Sequence, residues 1–291
     1  MSAAERSGIQ SHLTIAFPIK TPADAKALAE ELPPLMADFA KAQDGIGSVH
    51  YSRFLPVDDK TLIFIADIDG EVETLSENLA KSAGPVFDAI FKHVANPPPT
   101  PVDSNSDAFT KWVKNHNHRA LAPYTAFEDA SVQDIKACAR AAGFTGNTRQ
   151  SPLLLYAPAK SGLRAFVLEE AVLTAMKSGV KKGSDSVGTL HFLYFAAFEN
   201  HHVGIFTVYD GSFEKYVQDF TEKIGPLFDL LFKYVSGPTT PVAKNAQEFL
   251  QWTAENNRPA LGFYSAYPGL AVQDIRALRA DSKTRTDKAV A

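Results

Sequence analysis

Residues Gly188–Val235 read GTLHFLYFAAFENHHVGIFTVYDGSFEKYVQDFTEKIGPLFDLLFKYV, and a weaker copy, GSVHYSRFLPVDDKTLIFIADIDGEVETLSENLAKSAGPVFDAIFKHV, stands at Gly47–Val94. At a constant offset of 141 the segments are identical at 13 of 48 positions, among them His50/His191, Phe54/Phe195, Asp69-Gly70/Asp210-Gly211, Gly84-Pro85/Gly225-Pro226 and Phe87-Asp88/Phe228-Asp229. After a one-residue gap the match resumes at offset 140, with Trp112/Trp252, Tyr124/Tyr264 and Val-Gln-Asp-Ile at 132–135 and 272–275. A repeat of this length is a domain, since solenoid units run about 20–50 residues. The chain is a tandem duplication.

Working outward, each copy spells the same order of elements. His12–Ile19 is a short apolar run of β-formers, and Thr21-Pro22 opens a helix that Pro33-Pro34 must divide and Asp44-Gly45 should stop. Ser48–Leu55 and Thr61–Ile68 read as a hairpin around a loop at 56–60, and apolar residues from Val72 to Val94 recur at helical spacing, interrupted at Gly84-Pro85. A proline-rich connector at 96–101, a short helix near 107–114, a strand at 120–127 and a helix from Val132 complete the copy. In the second copy the corresponding expectations are a strand at 153–157, a helix at 163–178 and a turn at 181–185. These readings give a first repeat over 1–145, a second over 151–280 and a flexible tail over 281–291. Each repeat is β-α-β-β-α-β, the ferredoxin-like unit of an α+β fold.

Composition narrows the function classes. A net charge of −4 supplies no basic stripe for nucleic acid, and no apolar run approaches the roughly 20 residues of a membrane span. With no hydrophobic signal core at the N-terminus, a cytoplasmic location is expected. The single Cys138 reads as a packing residue. The chain carries no phosphate loop, dinucleotide fingerprint or nucleophile elbow.

The residues that could carry chemistry lie in the hairpins. His50 and His191 occupy equivalent strand positions among apolar neighbours, where an imidazole can serve as a general base, a proton shuttle or a packed core residue. Alternation places His50, Ser52 and Phe54 on one face and Val49, Tyr51 and Arg53 on the other. Arg53 is matched by Tyr194 and Asp67 by Val208, so only the first copy has both a cation and an acid there, suited to an ion pair or to orienting an anionic substrate. Asp69-Gly70 and Asp210-Gly211 read as caps of the helices that follow them. His116-Asn-His118 supplies too few ligands for a closed zinc site, and His201-His202 fall at a hairpin tip.

A single ferredoxin-like unit leaves one sheet face without helices, and two joined copies can supply that face to each other. In element order and duplication the chain resembles the dimeric α/β barrel superfamily, as an internally duplicated single chain with its sheets packed face to face as an intramolecular barrel. The resemblance implies an oxidoreductase, monooxygenase- or peroxidase-like, acting on a small apolar or aromatic substrate in a pocket against the sheet. His50 or His191 would be the proton acceptor or a haem-iron ligand, with Arg53 beside them and Tyr194 and Asp67 as substrate contacts. The cofactor is left open by the residues, haem being the one that the resemblance implies. The Asp-Gly pairs lack the upstream glycine spacing of dye-decolourising peroxidases, so no peroxidase residues carry over. The alternative is a non-catalytic ligand- or protein-binding module. A small-molecule ligand is the expected partner, with self-association open.

Overall fold

The computed structural model describes residues 9–160 and 179–290, so the helix expected at 163–178 lies outside the described residues. Two compact units emerge: Met1–Arg119 with Glu128–Gln133 and Pro259–Tyr267, and Ala120–Phe127 with Asp134–Arg258 and Pro268–Ala291. The fold is α+β, with one four-stranded antiparallel sheet and its helices in each unit, the duplicated ferredoxin-like arrangement.

In the first unit the strands are β1 (Gln10–Pro18), β2 (Val49–Asp58), β3 (Thr61–Asp69) and a late strand, β8 (Leu261–Ser265). Their order is β1-β3-β2-β8. In the second unit β4 (Leu121–Thr125), β5 (Gln150–Pro158), β6 (Leu190–Phe198) and β7 (His202–Asp210) lie in the order β4-β6-β7-β5. Each sheet therefore takes its fourth strand from the other sequence copy, and the compact units do not follow boundaries at 145 and 151. Strand pairing acts through space, so pattern along the chain cannot show which β2-like edge a short fourth strand joins.

The helices follow local chemistry. Thr21 accepts from the Asp24 amide at 3.1 Å and starts α1 (Pro22–Glu31) with proline in its first turn. Pro33-Pro34 form a 3₁₀ turn that separates α1 from α2 (Met36–Ile46). That helix passes through the stop expected at Asp44-Gly45 and ends at Gly47, whose φ of +72° suits a residue without Cβ. The hairpin is also tighter than a loop over 56–60: β2 reaches Asp58, whose carboxylate accepts from the Lys60 amide at 2.8 Å. α3 (Val72–Phe91) is bent at Ala83, two residues before Pro85. α4 (Ser106–His116) and α5 (Val132–Ala141) follow.

In the second unit residues 179–187 are helical (α6), which replaces the turn expected at 181–185. α7 (Phe213–Leu231), α8 (Ala246–Asn256) and α9 (Val272–Val290) complete the set, and α9 continues through most of the segment expected to be a frayed tail. No helix among the described residues is long and apolar enough to cross a membrane.

Packing explains the repeated phenylalanines. In the first unit Phe39 of α2 meets Phe54 and Phe64 at 5.3 and 5.6 Å, while Phe87 meets Phe109 at 5.0 Å. In the second, Phe228 meets Phe220 at 4.4 Å and Phe249 at 6.2 Å. Full burial of each ring contributes about 1.5–3 kcal/mol, so these stripes account for the repeat's retained phenylalanines as core residues. With Ser52 and Phe54 on the helix side of the first sheet, Tyr51 and Arg53 of β2 and Asp67 of β3 point to its other face.

Candidate active site

A bulge between Val49 and Tyr51 breaks the alternation of β2 at His50. The imidazole is thereby removed from the Ser52–Phe54 row and joins the polar group around Tyr51 instead. Its Nε2 lies 2.8 Å from Asp69 Oδ1 at the end of β3, and its Nδ1 lies 2.8 Å from the hydroxyl of Tyr267. Tyr267 is held by backbone: the Ala266 amide donates to the His50 carbonyl at 2.9 Å just beyond β8. The Tyr267 ring meets Tyr51 edge-on at 5.4 Å, and the two hydroxyls share a hydrogen bond.

The direction of this chain follows from its end. Asp69 is a carboxylate and only accepts, its Oδ2 taking the Val132 amide of α5 at 2.8 Å, so His50 carries a hydrogen on Nε2, which in the neutral ring makes Nδ1 the acceptor. Tyr267 then donates to a neutral His50 and shares a further hydrogen bond with Tyr51. Burial, with the charges of Asp67 and Asp69 and the Tyr51 phenol adding to it, raises the Tyr267 phenol well above its ordinary value of 10. Tyr267 is a neutral relay rather than a phenolate base. The side chain of Gln10, 3.4 Å from His50 Nε2 and donating to the Ala130 carbonyl, closes the far side of the ring.

Asp69 was expected to cap the helix that follows it. Instead α3 has Glu71 at its N-cap with no side-chain hydrogen bond, and Asp69 caps α5 while fixing His50. Asp210 does the same in the second unit, accepting from His191 Nε2 at 2.7 Å and from the Val272 amide at 2.8 Å. Both readings, capping and chemistry, apply to one carboxylate, because its two oxygens face different partners.

Beside this chain, across β1, β3 and β2, lies a second polar row. His12 Nδ1 is 2.9 Å from Asp67 Oδ1, and Arg53 Nη1 is 3.5 Å from Asp67 Oδ2, at the long limit of hydrogen bonding. Arg53 and Asp67 have no exposure, against the water-facing strand end that such residues usually mark. A buried charge pair keeps its place only when hydrogen bonds offset the loss of water, yet Arg53 Nε and Nη2 have no protein acceptor among the described residues. Each such unpaired donor costs about 1–3 kcal/mol.

The second sheet repeats the dyad without its surroundings. The ring in the place of Tyr267 is Phe127, 5.9 Å from His191, and Phe192, Tyr194, Val208 and Pro152 replace Tyr51, Arg53, Asp67 and His12. Tyr194 packs edge-on against Phe206 at 5.2 Å. The structure therefore brings His50, Arg53 and Asp67 into one polar group, and places His191 and Tyr194 in a largely apolar one. Apolar cavities under α1, lined by Leu28, Leu32 and Leu62, and beneath α7, lined by Leu155, Phe220 and Phe249, touch none of these groups.

Sequence reading missed Tyr267, Tyr51 and His12. The available signal was the exchange of Tyr267 for Phe127 five residues before a retained Val-Gln-Asp-Ile, a polar difference inside a matched stretch. In the histidine doublets, His116 stacks on Trp112 at 3.9 Å and bonds its carbonyl, and His202 stacks on Tyr156 at 4.6 Å.

Haem does not fit the proposed ligands. Both rings are fully buried, and the nitrogen of His50 that faces away from Asp69, Nδ1, is taken by the Tyr267 hydroxyl, so His50 would have to give up Tyr267 and its packing to reach an iron, and His191 its packing. No cluster of three or more metal-type ligands occurs among the described residues.

No family model matches the chain, and no curated protein matches it. Among solved structures it is similar to a proposed monooxygenase from Fusobacterium nucleatum subsp. nucleatum, with 9% identity over 91% of this chain and 97% of that one and a TM-score of 0.41. It is also similar to a proposed monooxygenase from Lactobacillus acidophilus, with 10% identity over 89% and 98% and a TM-score of 0.35. A third, an anthrone oxidase-like protein, shows 12% identity over 91% and 97% and a TM-score of 0.33. At these identities and scores the likeness says nothing of activity.

Proposed function

We propose that the first sheet carries an oxidoreductase site for a small aromatic substrate, worked by protein side chains. The observation that carries this reading is the run Tyr51–Tyr267–His50–Asp69, present in the first unit and replaced by Phe192–Phe127–His191–Asp210 in the second. An aspartate-backed imidazole needs no tyrosines to hold a strand together, as the second unit demonstrates. The added hydroxyls give it a route for a proton.

In the proposed reaction the substrate gives a proton to Tyr51, the Tyr51 proton passes to Tyr267, and the Tyr267 proton passes to His50 Nδ1, where Asp69 stabilises the imidazolium. Arg53 offsets the negative charge of the bound substrate as a whole. The resulting carbanion reduces dioxygen: one oxygen atom enters the product as a carbonyl, and the other leaves as water with the substrate's two hydrogens. Relay and guanidinium are both out of water, which strengthens each interaction.

The closed setting, with Tyr51, His50 and Arg53 wholly buried, favours a second reading, a non-catalytic module that binds a small molecule. Dioxygen uptake over a panel of hydroxylated aromatics, run with ¹⁸O₂ and mass spectrometry, separates the two. One labelled oxygen per product and one dioxygen per turnover support the oxidoreductase; binding of a panel member with no uptake supports the module.

A further inference from the structure

Arg53 is the largest fully buried side chain among the described residues. Its Nη1 reaches Asp67 Oδ2 at 3.5 Å, but Nε and Nη2 have no acceptor among the described residues. Those two atoms are not an arbitrary pair. On a planar guanidinium they form the side-on fork, two parallel N–H bonds spaced to meet both oxygens of one carboxylate. The end-on direction, through Nη1, is the one already turned to Asp67. The protein has therefore spent one edge of the group on its own acid and left the other edge, the bidentate one, for something else.

We infer that Arg53 is the receptor for a carboxylate on the ligand, so that the small aromatic substrate of the first sheet is an aromatic carboxylic acid. This deepens the proposed function and rests on that reading for the aromatic part alone. The surroundings suit one added negative charge. Asp67 is shared between Arg53 and His12, whose Nδ1 lies 2.9 Å from Asp67 Oδ1, so the guanidinium does not have that acid to itself. The acid of the neighbouring relay, Asp69, is engaged by His50 and by the Val132 amide. The rings of Tyr51 and Phe263 stack at 6.0 Å and 6° in the same unit, and with Tyr267 they give the region flat apolar surfaces. In the second sheet, where Tyr194 replaces Arg53, the fork is missing and the same site cannot form.

The test is binding, independent of turnover. Calorimetric titration of the full-length protein with 4-hydroxybenzoate, 4-hydroxybenzamide and phenol compares a carboxylate with its amide isostere and with the bare ring. Three proteins are used: wild type, Arg53→Lys, which keeps the charge without the fork, and Arg53→Gln/Asp67→Asn, which removes both charges together and leaves no uncompensated buried acid. The expected result is that wild type binds 4-hydroxybenzoate at least tenfold more tightly than 4-hydroxybenzamide, and that this preference falls at least tenfold in both variants. Equal affinity for acid and amide in wild type, an unchanged preference in the variants, or no binding of the acid overturns the inference. Carboxylate binding without dioxygen uptake leaves the receptor standing and sets aside the oxidoreductase; uptake with phenols but no preference for the acid does the reverse.

Discussion

The hydroxyl of Tyr267 lies 2.8 Å from Nδ1 of His50, and these two residues stand 217 positions apart in the chain. The hydrogen bond exists because β8 pairs with β2 in the first sheet, which sets the Ala266 amide on the His50 carbonyl and the next side chain over the imidazole. Replacing Tyr267 with Phe sets beside His50 the kind of ring that Phe127 sets beside His191. The expected outcome is a fall of at least 10² in kcat, within the range of lost acid–base assistance, for a stability cost of about 1–3 kcal/mol from the unpaired Nδ1. Steady-state rates and urea unfolding of the same preparation check both.

Asp69 and Asp210 make matching pairs of bonds, so they should matter equally to folding and unequally to chemistry. Asp69→Ala and Asp210→Ala each remove a helix cap and a buried imidazole partner and are expected to cost about 2–4 kcal/mol. Asp69→Asn is the more informative change. An amide can donate to His50 Nε2, which reverses the tautomer and turns the relay against its proposed direction, so activity should fall at least tenfold while Asp210→Asn retains it.

Alkaline titration reads the buried phenols. Burial raises Tyr216 and Tyr267, and burial with a neighbouring aspartate raises Tyr124 beside Asp185 and Tyr264 beside Asp44, all from an ordinary value of 10. Above about pH 10 the unfolded chain has released protons that the folded chain still holds, so stability falls as pH rises through that point. Absorbance at about 295 nm should show these tyrosines titrating with unfolding rather than before it. Early ionisation of all nine tyrosines in the folded protein would contradict the burial described.

Added haemin should give no histidine-dependent spectrum. With His50 and His191 both fully buried, any Soret band that appears is expected to be unchanged in His50→Gln and His191→Gln. A band lost in either variant would show that the buried imidazole opens to iron.

Much of the fold was legible because it is written locally. Pro33-Pro34 divided a helix, Pro85 bent one, and the paired phenylalanines at 87, 91, 228 and 232 marked core stripes. The origin of each fourth strand was not legible, since Leu121–Thr125 and Leu261–Ser265 have equivalent patterns and differ only in the edge they join. The site was half legible for the same reason. His50, Arg53 and Asp67 lie on one hairpin and can be read together, whereas Tyr267 and His12 come from strands that the hairpin meets in space. Asp69 was legible as a cap but not as the cap of a helix 63 residues away.

The most direct measurement sets His50→Gln beside His191→Gln, with dioxygen consumption followed on whichever aromatic substrate the wild-type protein turns over. Each change removes a histidine–aspartate bond, and His50→Gln also removes the bond to Tyr267, so urea unfolding of both variants accompanies the rates. The relay predicts that His50→Gln loses at least 10² in kcat and His191→Gln keeps wild-type turnover within about threefold. Equal losses, or a loss confined to His191→Gln, would contradict it.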